Sequence, residues 1–205
     1  MQLSTDINFY NDTFLDLERH ASEPYNRFTY QDDEEFEMVR RFLFEHGLCE
    51  FCPPFGRVLV EEGRVIAMIA FLPAEDLSRC RVLAALAISR LDYFRQRTKV
   101  LQRIRLASTT LIRPKNGDFY LARIAVVKTL GQRGIGRYLL GLCEAEARKL
   151  GSRRVVLEVD PHNEAAVSLY RRESFQDGDI HSVTDSDSGR SLEYLHMTKV
   201  LEPQH

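Results

Sequence analysis

Three glycines set the chemistry that this sequence can attempt. Gly131, Gly134 and Gly136 punctuate the stretch Leu130 to Arg137, which joins an apolar strand-like run (Leu121 to Val127) to an amphipathic helix-like run (Tyr138 to Leu150). A strand, a glycine-rich turn and a helix start, in that order, set backbone N–H groups at a helix N-terminus. Orphan amides and the helix dipole attract a phosphate there, and glycines let the main chain approach it. The spacing is GxxGxG, the reverse of the dinucleotide fingerprint, and no Walker lysine followed by Ser or Thr is present. Alone, such a turn reads equally well as a tight strand–helix connection.

Its company is the run from Leu157 to Tyr170. Val155, Leu157 and Val159 face one side of their strand and Glu158 the other. In the helix that follows, Ala166, Leu169 and Tyr170 share a face, so Tyr170 carries a hydroxyl on an apolar surface. Asn163 is positioned to cap that helix. The plain alternatives are a core tyrosine with a routine partner and a salt-bridged carboxylate.

The elements that must position these residues are read from periodicity. A short helix is expected near Phe14 to His20 and a first strand at Arg27 to Tyr30. A helix capped by Asp32 or Asp33 runs to about Glu45, with Phe36, Val39, Phe42 and Leu43 at helical spacing. Arg57 to Glu61, the turn Glu62-Gly63 and Arg64 to Leu72 read as a hairpin. Residues 75 to 112 look helical, with Leu83, Leu86, Ala87, Leu91, Phe94, Val100, Leu101 and Ile104 as the apolar set. Asp118 to Val127 is a strand. Gly134 to Leu150 is a helix with the stripe Ile135, Tyr138, Leu139, Leu142 and Ala145, and Gly151 stops it. Arg154 to Asp160 is a buried strand, a helix reaches about Glu173, and Phe175 to Val183 and Tyr194 to Val200 close the domain. The order gives an α/β (α+β) domain around one sheet.

The 205 residues suit one domain, with 44% hydrophobic and 28% charged residues and a formal net charge of −2. No apolar run approaches the roughly 20 residues of a membrane span, and the N-terminus lacks the regions of a signal peptide; the expected location is cytoplasmic. Cys49-Glu50-Phe51-Cys52 follows His46, but no second motif supplies a fourth zinc ligand, so the expectation is no metal and reduced, scattered thiols. Residues 79 to 115 are basic (Arg79, Arg81, Arg90, Arg95, Arg97, Lys99, Arg103, Arg105, Arg113 and Lys115 against Asp92). They read as a solvated face or as an attractor of an anionic ligand. No recognition motif supports a nucleic-acid partner.

Residues 118 to 175 resemble the GNAT acetyltransferase superfamily. Ile124-Ala125-Val126-Val127 resembles its fourth strand, Arg133-Gly134-Ile135-Gly136-Arg137 its pyrophosphate loop, and Asn163-Glu164-Ala165-Ala166-Val167-Ser168-Leu169-Tyr170 its second motif. Gly131, Lys128 and Ser174 depart from the usual pattern, and Ser174 calls for a backbone compatible with a Cβ. The resemblance implies a mixed, mostly antiparallel sheet of six to seven strands, splayed between the fourth and fifth. It implies one domain over 1–205, with a helical insertion at 75–117 before the fourth strand.

Acetyl-CoA is the implied cosubstrate. It would lie against Ile124, Ala125 and Val126, with its pyrophosphate on the amides of Gln132, Arg133, Gly134, Ile135, Gly136 and Arg137. Asn163 either contacts it or only caps its helix. Tyr170 is the implied general acid. Glu158 is the implied base, in a pairing similar to bacterial ribosomal-protein N-terminal acetyltransferases. The partner is an amine acceptor, and the closing strands are candidates for pairing across a homodimer. The competing reading is a GNAT-like module that binds acyl-CoA without turnover.

Overall fold

The computed structural model describes residues 1–6, 12–91, 97–130 and 134–202. Seven strands form one sheet: β1 (Gln2–Ser4), β2 (Gly56–Glu61), β3 (Arg64–Pro73), β4 (Asp118–Val126), β5 (Arg154–Val159), β6 (Gln176–Thr184) and β7 (Ser191–Val200), in the order β1-β2-β3-β4-β5-β7-β6. Every neighbouring pair is antiparallel except β4–β5, which is parallel. One face carries α6 (Ile135–Lys149) and α7 (Glu164–Arg172) over a core that includes Phe119, Leu139, Leu157 and Met197. The other carries α1 (Asp12–Ala21), α2 (Glu23–Thr29), α3 (Asp33–Glu45), α4 (Ala74–Ser89) and α5 (Arg97–Ala107). No helix among the described residues is long and apolar enough to cross a membrane.

The sheet opens between β4 and β5. Their ladder holds only Asp118↔Arg154, Phe119↔Val155 and Tyr120↔Val156, yet β4 runs on to Val126 and β5 to Val159. At the closed end Arg154 donates from Nε and Nη2 to the two oxygens of buried Asp118, both at 2.9 Å. Just past Tyr120 the β3–β4 register shifts, pairing Phe71 with Leu121 but Ala70 with Arg123. Such a bulge bends its strand, and here it turns β4 away from β5.

Most expected elements form, with particular corrections. Asp32 caps α3 through its side chain, accepting from the Glu35 amide. The turn Glu62-Gly63 has positive φ at both residues (50° and 75°), the conformation of a two-residue hairpin loop. The strand expected at Arg27 to Tyr30 is instead the end of α2, where Phe28 packs against Leu192 and Tyr194 rather than entering the sheet. The helical stretch 75 to 112 is two helices, and Leu83 and Leu86 point outward while Leu77, Cys80 and Ile88 face in. On α6 the buried stripe is Ile135, Leu139, Leu140, Cys143 and Ala147, whereas Tyr138 and Ala145 are exposed. Strand β1 pairs with β2 without an obvious periodic signal. Cys49 and Cys52 are joined as a disulfide, not separate thiols, because a tight turn brings their Cα atoms to 5.4 Å; Cys80 and Cys143 are free. Asp92, Phe94, Arg95, Gly131, Gln132 and Arg133 lie outside the described residues.

Candidate active site

The opening in the sheet is one end of a cavity of about 1660 Å³. Its strand wall is set by hydrogen-bond parity. The Val127 amide donates to the Ile66 carbonyl of β3 at 2.9 Å. In an antiparallel pair, alternate residues turn both backbone groups to the same neighbour. Arg123 and Ala125 therefore face β3, while Ile124 and Val126 turn their amides and carbonyls toward the gap. An extended ligand has two residues of free edge to pair with. Ala125 contributes only its small side chain.

The helix wall begins at Gly134, which caps α6 at φ 72°, a left-handed conformation. A Cβ there would touch nothing within 4 Å, so backbone geometry and not crowding calls for glycine. The first amides of the 15-residue α6 have no intrahelical partner, and Gly134, Gly136 and Arg137 line the cavity. Ile135 buries its side chain in the core and offers only its amide. At Gly136 a Cβ would sit 3.0 Å from Leu169 Cδ2, so α6 and α7 approach closely here. The Arg137 guanidinium is exposed and pairs with Glu173 at 3.1 Å. Asn163 accepts from the Ala166 amide at 3.1 Å, so capping is realised; the residue also lines the cavity. Free strand edge, orphan amides and a left-handed glycine together fit a pantetheine arm followed by a diphosphate.

Tyr170 is fixed by the end of its own helix. The Ser174 amide donates to Arg171 O and the Phe175 amide to Tyr170 O, at 3.1 and 3.0 Å. That is a Schellman motif, which brings residue C″ against C3: the rings of Phe175 and Tyr170 lie 5.6 Å apart. The motif needs a left-handed residue, and Ser174 supplies it at φ 68°. The expectation of a backbone comfortable for a Cβ is thus corrected. Tyr170 is buried, its hydroxyl has no partner among the described residues, and it lines the cavity. Burial pushes its phenol above the usual range, so it holds its proton at neutral pH.

Glu158 lies on the opposite sheet face from Leu157 and Val159, as alternation demands. Its Oε1 accepts from the Tyr120 hydroxyl at 2.5 Å and lies 3.8 Å from Arg81 Nη2. Its Oε2 is buried with no hydrogen-bond partner among the described residues. Burial pushes this carboxyl up, against the pull of Arg81, the Tyr120 hydrogen bond, Arg123 and His196.

Sequence reasoning missed the residues around it. From sequence Arg81 is one of the cations of the stretch 79 to 115, a solvated face or an attractor of an anionic ligand, with no link to Glu158. Glu18 and Glu50 lie far from both motifs in sequence, yet both pair with Arg123 from the cavity wall. The available signal was Arg123 itself, a charge inside an apolar strand, which must be paired or used.

Comparisons with known proteins extend this picture. A search of curated proteins finds no match. Among solved structures the chain is similar to an acetyltransferase at 19% identity, with a TM-score of 0.64 and 98% and 100% of the two chains covered. It is also similar to a ribosomal-protein-alanine N-acetyltransferase from Brucella melitensis (17%, TM-score 0.53, 98% and 100%). A third is a Bacillus subtilis acetyltransferase in complex with CoA (14%, TM-score 0.51, 94% and 93%). At such identities the likeness is one of fold. Residues 14–175, however, match the family model described as the acetyltransferase (GNAT) family, and the chain belongs to that family.

Proposed function

We propose that the chain transfers the acetyl group of acetyl-CoA to a primary amine by direct attack within a complex of both substrates. One observation carries this reading: Glu158, whose Oε2 has no hydrogen-bond partner among the described residues, and Tyr170 line the same cavity as the α6 N-terminus and the free edge of β4. The amine nitrogen bonds to the thioester carbonyl carbon and the carbon–sulfur bond breaks. The Val126 amide faces the gap and donates to the carbonyl oxygen as charge builds on it. Glu158 takes the amine proton, directly or through water, and Tyr170 returns one to the departing sulfur. Main-chain amides at Gly134, Ile135, Gly136 and Arg137 hold the diphosphate, together with Gln132 and Arg133. We read the whole chain as one domain in which the segment 75–117 precedes the cofactor strand and reaches the site through α4.

The test follows free thiol release from acetyl-CoA over a panel of amines. Release with at least one amine is expected, and Glu158→Gln should lower kcat by about 100-fold or more while leaving the affinity for CoA unchanged. Saturable CoA binding with no release on any amine would instead mean a module that binds without turnover.

A further inference from the structure

Glu158 has two oxygens in different circumstances, and the difference is built by residues outside the two family motifs. Tyr120 is the last β4 residue paired with β5. It shares a sheet face with Val156, so Glu158, two residues beyond Val156, lies on that face as well. Tyr120 is 1% exposed, and its hydroxyl crosses the start of the opening to donate to Oε1. Arg81 reaches the same point from α4. Its Nη2 donates to the Tyr120 hydroxyl at 3.3 Å, its Nη1 to the Ile112 carbonyl at 3.3 Å, and its guanidinium lies 5.3 Å from the centre of the Tyr120 ring. The Tyr120 oxygen thus accepts from Arg81 while its one proton is committed to Glu158. Burial, with the adjacent carboxylate, keeps that phenol protonated, so the donor is present at any working pH. Oε1 is occupied, and Oε2 alone is left to meet a donor.

We propose that Arg81 and Tyr120 are positioning residues that hold Glu158 through Oε1 and leave Oε2 to take the amine proton, directly or through water, making α4 a functional part of the acetyl-transfer site. This rests on Glu158 being the base. Other groups face Glu158 too: Arg123 on β4, and on β7 Tyr194 and His196, the latter its direct ladder neighbour. His196 is turned to the Thr110 carbonyl through Nε2 at 2.7 Å. The carbonyl only accepts, so Nε2 carries the proton in this contact.

The experiment measures acetyl transfer across pH with the full chain and an amine found by thiol release, comparing wild type with Tyr120→Phe, Arg81→Gln, Arg81→Lys and Glu158→Gln. Tyr120→Phe is expected to lower kcat about tenfold through misplacement of the base, with KM for acetyl-CoA unchanged. Without the donor or the cation the carboxyl binds its proton more tightly, so the acidic limb of kcat/KM moves to higher pH in Tyr120→Phe and Arg81→Gln. Arg81→Lys restores the limb. Glu158→Gln abolishes it. If Glu158→Gln abolishes the limb while Tyr120→Phe and Arg81→Gln keep the wild-type one, the positioning role is wrong and the base survives. If Glu158→Gln keeps both limb and kcat, the base reading fails and the proposal with it. Should Arg81→Gln not fold, Tyr120→Phe alone decides.

Discussion

Tyr170 and Glu158 are buried for the same reason, packing on the two faces of an opened sheet, but burial does opposite things for their chemistry. For a phenol it secures the proton that an acid must hold. For a carboxylate it raises basicity and costs stability. Tyr170→Phe should lower kcat by about 100-fold. Its effect on unfolding in urea should stay within about 1 kcal/mol, because the lost hydroxyl has no partner among the described residues. Glu158→Gln should lower kcat as well, but unlike Tyr170→Phe it should change stability in a pH-dependent way. The raised carboxyl pKa means that the fold binds this proton more tightly than the unfolded chain does, so ionisation at higher pH destabilises the native state. The variant should therefore melt at or a few degrees above wild type at pH 8, and the gain should vanish near pH 4, where the carboxyl is protonated in both states. A variant that melts well below wild type at pH 8 would mean that the Arg81 and Tyr120 contacts outweigh desolvation.

At the scale of elements, the two helices of the site are governed by left-handed residues at their ends. Gly134 starts α6 and Ser174 follows α7, at φ 72° and 68°. A Cβ in that region costs about 1 kcal/mol. Ser174→Gly should raise stability by about 0.5–1 kcal/mol with activity kept, since the hydrogen bonds that clamp Tyr170 against Phe175 need only the backbone. Gly134→Ala should lose about 1 kcal/mol and weaken CoA binding several-fold by calorimetry. Gly134→Asn, which tolerates the left-handed region better, should lose less of both. Equal loss in the Ala and Asn variants would shift the explanation from backbone conformation to side-chain bulk at the diphosphate.

The molecule as a whole is organised by where the sheet is pinned and where it is let go. Asp118 and Arg154 close one end of the β4–β5 gap, and the bulge beyond Tyr120 opens the other. Asp118→Ala should cost roughly 3 kcal/mol in urea unfolding, the scale of breaking a buried ion pair. It should weaken CoA binding as well, because the angle between the strands is then less fixed. The opposite face is tied by buried Arg103, whose Nε donates to Asp185 at 3.0 Å from α5 to the β6–β7 turn. The Ser188 hydroxyl and Arg103 hold the Asp185 carboxyl below its usual range. That contribution is present at neutral pH and fades as pH falls below about 4.

Local chemistry made much of this protein legible from its residues alone. The GxxGxG turn between a strand and a helix, the Asp32 and Asn163 caps, the Glu62-Gly63 hairpin and the alternation that sets Glu158 opposite Leu157 depend on neighbours within a few positions. Those interactions act the same in any context. The misread segments were those whose fate rests on distant partners. Arg27 to Tyr30 became helix because Phe28 found Leu192 and Tyr194, and Leu83 and Leu86 turned outward because Leu77 and Ile88 took the inner face of α4. Tertiary structure alone decided that Tyr120, Arg81 and Glu158, set 38 and 39 residues apart in the chain, meet at one carboxylate oxygen. The buried charges at Arg123, Glu18 and Glu50 likewise satisfy one another across it. A desolvated charge takes whatever partner the fold brings within reach, and sequence spacing carries no record of that choice.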